Sequence, residues 1–84
     1  MNFGKAIELL KQGKRVKRKG WNGKNQYIEL VENASYTTID GVIVNAMHET
    51  MGNKVISFVG TSGIQLGWLA SQSDILSEDW EVCE

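Results

Sequence analysis

The sequence contains no proline, one cysteine and one histidine in 84 residues. Without proline there is no proline-bounded linker, and nothing in composition divides the chain; it reads as a single domain, residues 1–84. A lone cysteine, Cys83, rules out an internal disulfide and suits a reducing compartment. His48 has no cysteine or second histidine with which to space a metal site, and no nucleophile motif accompanies it. It is read as an exposed loop residue. No apolar run approaches membrane length, and the opening Met1-Asn2-Phe3-Gly4-Lys5 is not a signal peptide. The expectation is a cytoplasmic protein with no catalytic residue, no metal and no cofactor.

A chain this short buries about 60–65% of the surface its unfolded form exposes. Its core is thin, on the order of 3–5 kcal/mol net. With disulfides and metals absent, association with further copies is the remaining common remedy, so a homo-oligomer is expected.

The net charge of −1 conceals a split: seven of the nine Lys and Arg residues lie between Lys11 and Lys24, and residues 74–84 carry five carboxylates and no base. Such a split suits a nucleic-acid face, or two segments that face each other within the fold or across an interface. The sequence pI near 5.8 argues against a dedicated nucleic-acid binder.

Along the chain, Asn2 to Gln12 reads as a helix with Asn2 as N-cap, an apolar stripe of Phe3, Ala6, Ile7, Leu9 and Leu10, and a left-handed stop at Gly13. Lys14 to Lys19 reads as a strand on which Val16 and Arg18 share the inward face. An arginine so placed requires an anion, either a carboxylate from the acidic end or a ligand phosphate. Gly20-Trp21-Asn22-Gly23 is a turn; Trp21 either caps the core edge or stacks on a flat ligand or a partner subunit. Gln26 to Val31 is the next strand, with Tyr27, Glu29 and Val31 on one face. Tyr36 to Val44 suits a hairpin turning at Asp40-Gly41, and Ala46 to Met51 a helical turn or loop. Lys54 to Val59 and Ile64 to Leu69 read as strands around a Thr61-Ser62-Gly63 loop, placing Trp68 on the face of Leu66. Ser71 or Ser73 caps a short helical turn. Ser71-Gln72-Ser73-Asp74 offers hydroxyl, amide and carboxylate groups suited to ribose and base edges, or is a plain N-cap cluster. Asp79 to Val82 closes the chain as a strand with Trp80 and Val82 inward. The fold class is α+β, an N-terminal helix on a mostly antiparallel sheet with a short helical turn before the last strand.

Three segments resemble one family. They are Asn2 to Gly13, Arg18-Lys19-Gly20-Trp21-Asn22-Gly23-Lys24, and Trp68-Leu69-Ala70-Ser71-Gln72-Ser73-Asp74-Ile75-Leu76 with Glu78-Asp79-Trp80. The family is a group of small phage and prophage proteins that includes the second Thoeris anti-defense family and reported type II anti-CRISPR proteins. The resemblance covers residues 2–31 and 54–82; residues 33–53 carry no pattern that can be placed. Relatives often have a proline before the tryptophan of the last signature, where this chain has Gly67.

The resemblance implies a sponge rather than an enzyme: a homotetramer, with pockets between subunits, that binds the cyclic ADP-ribose signal of a defence TIR enzyme and leaves it intact in the cytoplasm of the infected or lysogenic host. Some relatives bind cyclic oligonucleotides of CBASS defence. The residues suit such ligands. Trp21 and Trp68 offer aromatic faces for adenine. Arg18 and Lys24 suit the diphosphate, and Asn22, Gln72 and Asp74 the ribose hydroxyls, with Ser71 and Tyr27 completing the candidate set. If Trp68 stacks on a ligand, Trp68→Ala abolishes capture and leaves a folded oligomer; if Trp68 is core, the variant unfolds. The alternative reading is an anti-CRISPR that inhibits a Cas9-type system through protein contacts, with the acidic residues 74–84 as its face.

Overall fold

Asn2 sets the start of the first helix by accepting the Lys5 backbone N–H on its side-chain oxygen at 2.9 Å. In this computed structural model, which describes residues 1–21, 25–49 and 54–83, that helix is α1, Phe3–Lys11. Gly13, at φ 85°, ends it. The Lys14 N–H reaches back to Leu9 O and the Gly13 N–H to Leu10 O, at 3.0 and 2.9 Å, satisfying carbonyls the helix leaves open.

Among the described residues seven strands follow the helix: β1 Val16–Arg18, β2 Tyr27–Val31, β3 Tyr36–Thr37, β4 Ile43–Val44, β5 Val55–Gly60, β6 Gly63–Leu66 and, after the short helix α2 (Gln72–Leu76), β7 Trp80–Val82. Five form one antiparallel sheet in the order β6-β5-β2-β1-β7; β3 and β4 pair with each other in a separate two-stranded sheet. The fold is α+β, as the sequence predicts.

The helix lies on one face of the sheet. Ala6 and Leu10 of α1 are sealed against Val16, Ile28 and Trp80, with Phe3, Ile7, Leu30, Ile56 and Phe58 packed around them. The chain ends are laced together: the Met1 amino group donates to Glu78 O and Trp80 O, and the Trp80 N–H donates to Met1 O. The opposite face of the sheet carries Arg15, Lys17, Tyr27 and Glu29, with Ser57 and Val59 of β5 and Ile64 and Leu66 of β6 in register beside them, because strand side chains alternate.

Several boundaries differ from expectation. β1 begins at Val16 because Lys14 is still engaged in closing the helix. Gly63 belongs to β6, paired with Gly60, leaving a two-residue loop of Thr61 and Ser62. β6 ends at Leu66: Gly67 at φ 87° turns the chain, so Trp68 leaves the strand and does not share Leu66's face. Val82 shares the inward register with Trp80 but is 39% exposed, lying on β7 at the edge of the sheet. Part of the charge split is met by pairing within the chain, through Lys17 and Arg18. Basic β1 lies beside acidic β7, with Lys17 opposite Glu81 and their charged groups 3.7 Å apart.

Candidate functional site

Three loops converge at the end of the sheet where α1 begins. The turn after β1 is held by Lys19 N–H to Asp79 O at 3.0 Å and Trp21 N–H to Arg18 O at 3.2 Å. At the end of β6 the N–H groups of Gly67 and Trp68 both donate to Ile56 O, at 3.1 and 2.8 Å, which fixes where Trp68 emerges. Glycine is required there because L side chains rarely adopt a φ of 87°.

The third loop carries α2. Ser71 is its N-cap: the hydroxyl accepts the Asp74 N–H at 3.1 Å, and the Asp74 carboxylate accepts the Ser71 N–H at 2.9 Å. This reciprocal capping box satisfies two helix donors that would otherwise be open. The carbonyl of Asp74 accepts the Trp80 indole N–H at 2.9 Å, which docks α2 on the core.

These loops bring the three tryptophans together. Trp21 lies 5.5 Å from Trp80, 5.5 Å from Phe58 and 6.2 Å from Trp68, and Trp68 lies 6.2 Å from Trp80, all edge-on. Such edge-to-face contacts contribute about 0.5–1.5 kcal/mol each beyond area burial. Trp80 is 2% exposed, whereas Trp21 and Trp68 remain half-buried at the rim.

Beside this wall stands an ion cluster. Arg18 donates from Nε to Asp79 at 2.9 Å and from a terminal nitrogen to Asp74 at 3.0 Å. The Ser77 hydroxyl donates to Asp79 as well. The two carboxylates, Asp79 first, raise the Arg18 pKa further above its ordinary value. Burial works against ionisation of Asp74, but the Ser71 N–H, Arg18 and the Ser71 hydroxyl outweigh it and hold the carboxyl below the usual range. Asp79 is held low by Ser77 first and Arg18 second. The anion that Arg18 requires is therefore supplied from within the chain, by two carboxylates at once.

Of the residues singled out in the sequence, the structure brings together Arg18, Trp21, Trp68, Ser71 and Asp74. Gln72 is exposed on the first turn of α2. Tyr27 lies apart, on the other face of the sheet, where the Arg15 guanidinium sits 4.9 Å above its ring. It lines a groove of about 520 Å³ with Arg15, Lys17, Gln26, Glu81 and Cys83. Asn22 and Lys24 lie outside the described residues. Asp79 and Phe58 belong to the cluster and were not singled out. For Asp79 the signal was its place one residue before Trp80, beside the basic strand; Phe58 had none.

His48 is exposed at φ 55°, with Nδ1 3.0 Å from Asn33 O. Among the described residues no group of three His, Cys, Asp or Glu side chains is placed to hold a metal, and no helix is long and apolar enough to cross a membrane.

Comparison with known proteins returns the family described as "Thoeris anti-defense 2-like domain", matched over residues 1–83. Thoeris anti-defense 2 of Bacillus phage SP01 is 37% identical over 84 residues, spanning 98% of this chain and 93% of the phage protein.

Proposed function

The chain belongs to the Thoeris anti-defense 2-like family, and from that premise we propose that it is a phage-type inhibitor of Thoeris defence that works by sequestration. It binds a cyclic ADP-ribose-type nucleotide in the bacterial cytoplasm, holds it without cleaving it, and so starves the effector that reads the signal.

One observation carries this reading beyond the family: two of the three clustered tryptophans are left half-buried, although the third is sealed in the core. Burying both fully would strengthen a thin core. A wall of indole at the surface instead suits a flat purine, for which stacking contributes about 1–3 kcal/mol per base. The exposed amide of Gln72, on the first turn of α2, offers a further polar group. Arg18 acts here mainly as the brace that fixes α2 and the Trp21 turn relative to each other, because both of its carboxylate partners are already in place. The wall is open in a single chain. A homo-oligomer, a tetramer in this proposal, closes it with a second subunit.

The acidic segment fits a protein-contact inhibitor poorly. Asp74, Asp79 and Glu81 are paired with Arg18 and Lys17, which removes three of the five carboxylates from any acidic face.

Tryptophan fluorescence tests the reading. Cyclic ADP-ribose is expected to change the emission saturably, and Trp68→Phe to weaken the apparent affinity at least several-fold while the variant stays folded. Emission that is indifferent to the nucleotide at every concentration would remove the tryptophan wall from the account.

A further inference from the structure

The two carboxylates that meet Arg18 have different second attachments. Asp74 accepts the Ser71 N–H and so belongs to the cap of α2. Asp79 is attached instead to the turn that carries Trp21. Its backbone carbonyl accepts the Lys19 N–H at 3.0 Å. Its Oδ2 closes over Gly20: a Cβ placed on that glycine would stand 3.6 Å from it. The Gly20 N–H also stabilises the charged carboxylate. Oδ1 meanwhile accepts the Arg18 Nε–H at 2.9 Å and the Ser77 hydroxyl, and the Asp79 N–H donates back to Ser77 Oγ at 3.3 Å. The end of β1, the first two residues of the turn and the exit from α2 are thus tied to one residue.

That residue directly precedes Trp80, which is sealed in the core and has the Trp21 ring edge-on at 5.5 Å. Asp79 therefore links an indole placed by the core to a half-buried indole whose place depends on the turn. The link needs a carboxylate. The Arg18 guanidinium and the Gly20 N–H donate and cannot accept, so an amide of the same size must turn its NH2 toward one of them.

We infer that Asp79 is a positioning residue of the candidate site, which sets the pose of Trp21 toward a flat nucleotide base through the Lys19-Gly20 turn. The inference rests on the proposed capture of a cyclic ADP-ribose-type nucleotide and names the residue that poses its aromatic wall. The physical gain is preorganisation: a ring held in its binding pose by the protein loses less freedom when the ligand arrives. Charge alone does not give this. Asp79→Glu keeps an anion for Arg18 but pushes the carboxylate one carbon further, where it no longer fits over Gly20.

Calorimetric titration with cyclic ADP-ribose tests the inference, paired with the exciton couplet that packed indoles give in circular dichroism. Asp79→Asn is expected to bind at least about five-fold more weakly, the low end of what one base stack contributes, and to show a smaller couplet, as Trp21→Phe does. Asp79→Glu is expected to restore neither. Gly13→Ala, strained at φ 85° at the other end of α1, controls for lowered stability alone and is expected to keep the wild-type affinity and couplet. An Asp79→Asn protein in which either readout stays at the wild-type value overturns the inference; weaker binding with an unaltered couplet would mean that the carboxylate acts on the ligand directly. Recovery of both readouts in Asp79→Glu, or their loss in Gly13→Ala, overturns it as well. Where Asp79→Asn does not fold, Ser77→Ala removes one donor to the same carboxylate and is expected to move both readouts in the same direction; wild-type values there overturn the inference. A wild type that binds no cyclic ADP-ribose contradicts the capture reading, and the couplets then decide by themselves whether Asp79 places Trp21.

Discussion

Trp68 distinguishes a wall built only for ligand from one that is also part of the core. In the fold it meets Trp21 and Trp80 edge-on, each at 6.2 Å, and its backbone N–H is anchored on Ile56 O. Trp68→Ala removes two aromatic contacts of about 0.5–1.5 kcal/mol each. It also removes the half-buried area of an indole; full truncation of a buried Phe or Trp costs about 3–5 kcal/mol. Scaling for the exposed part gives about 2–4 kcal/mol, most of what a domain of this size has at its disposal. At about 4–8 °C per kcal/mol for a 60–100-residue domain, the midpoint falls by roughly 10–30 °C. Thermal melting followed by circular dichroism reads this directly. Loss of nucleotide binding in Trp68→Ala at 37 °C would then report unfolding as much as a missing contact, so binding is to be compared in Trp68→Phe, which keeps a ring in the cluster. A Trp68→Ala protein that melts within about 3 °C of wild type would refute the packing argument and make Trp68 a purely ligand-facing residue.

Other substitutions test the surrounding scaffold. Ser71→Ala takes away the acceptor for the Asp74 N–H and is expected to cost about 1 kcal/mol, read as a lower midpoint in urea with an unchanged slope; no shift would mean that α2 does not depend on its cap. Gly67→Ala must place a side chain at φ 87° and is expected to cost about 1–2 kcal/mol, whereas an unaffected midpoint would mean that the backbone there relaxes freely. Asp74 and Asp79 both titrate below the ordinary 3.8 in the folded chain. Depressed folded values confer stability that is present above the unfolded pKa and lost as pH falls through the folded one. The melting temperature is therefore expected to hold from neutrality to about pH 5 and to decline below about pH 4, with a shallower decline in Arg18→Met; parallel curves for the two proteins would show that the Arg18 cluster does not govern acid stability.

Much of the scaffold is legible in the sequence because its signals are local. The apolar stripe of α1, its Asn2 cap and its Gly13 stop all lie within one element, as do the Asp40-Gly41 hairpin and the serine cap of α2, which the sequence leaves between Ser71 and Ser73 and the structure gives to Ser71. Less legible were features set by distant residues or by a dihedral angle. Nothing in the composition around Gly67 announces a left-handed turn, so Trp68 reads as one more strand residue until φ is known. The sequence requires an anion for Arg18 but does not choose one. The choice falls on Asp74 and Asp79, 56 and 61 residues away, and depends on β7 pairing with β1. Tyr27 stands in the candidate set beside Trp21 and Trp68, yet strand alternation sends it to the face of the sheet opposite Ile28 and the core.

Isothermal titration of the purified protein with cyclic ADP-ribose, followed by chromatography of the nucleotide recovered from the complex, tests the central claim most directly. The account predicts saturable heat and recovery of the cyclic nucleotide unaltered. Absence of heat with cyclic ADP-ribose isomers and with a panel of cyclic oligonucleotides would contradict capture, and recovery of a linear product would contradict sequestration without cleavage.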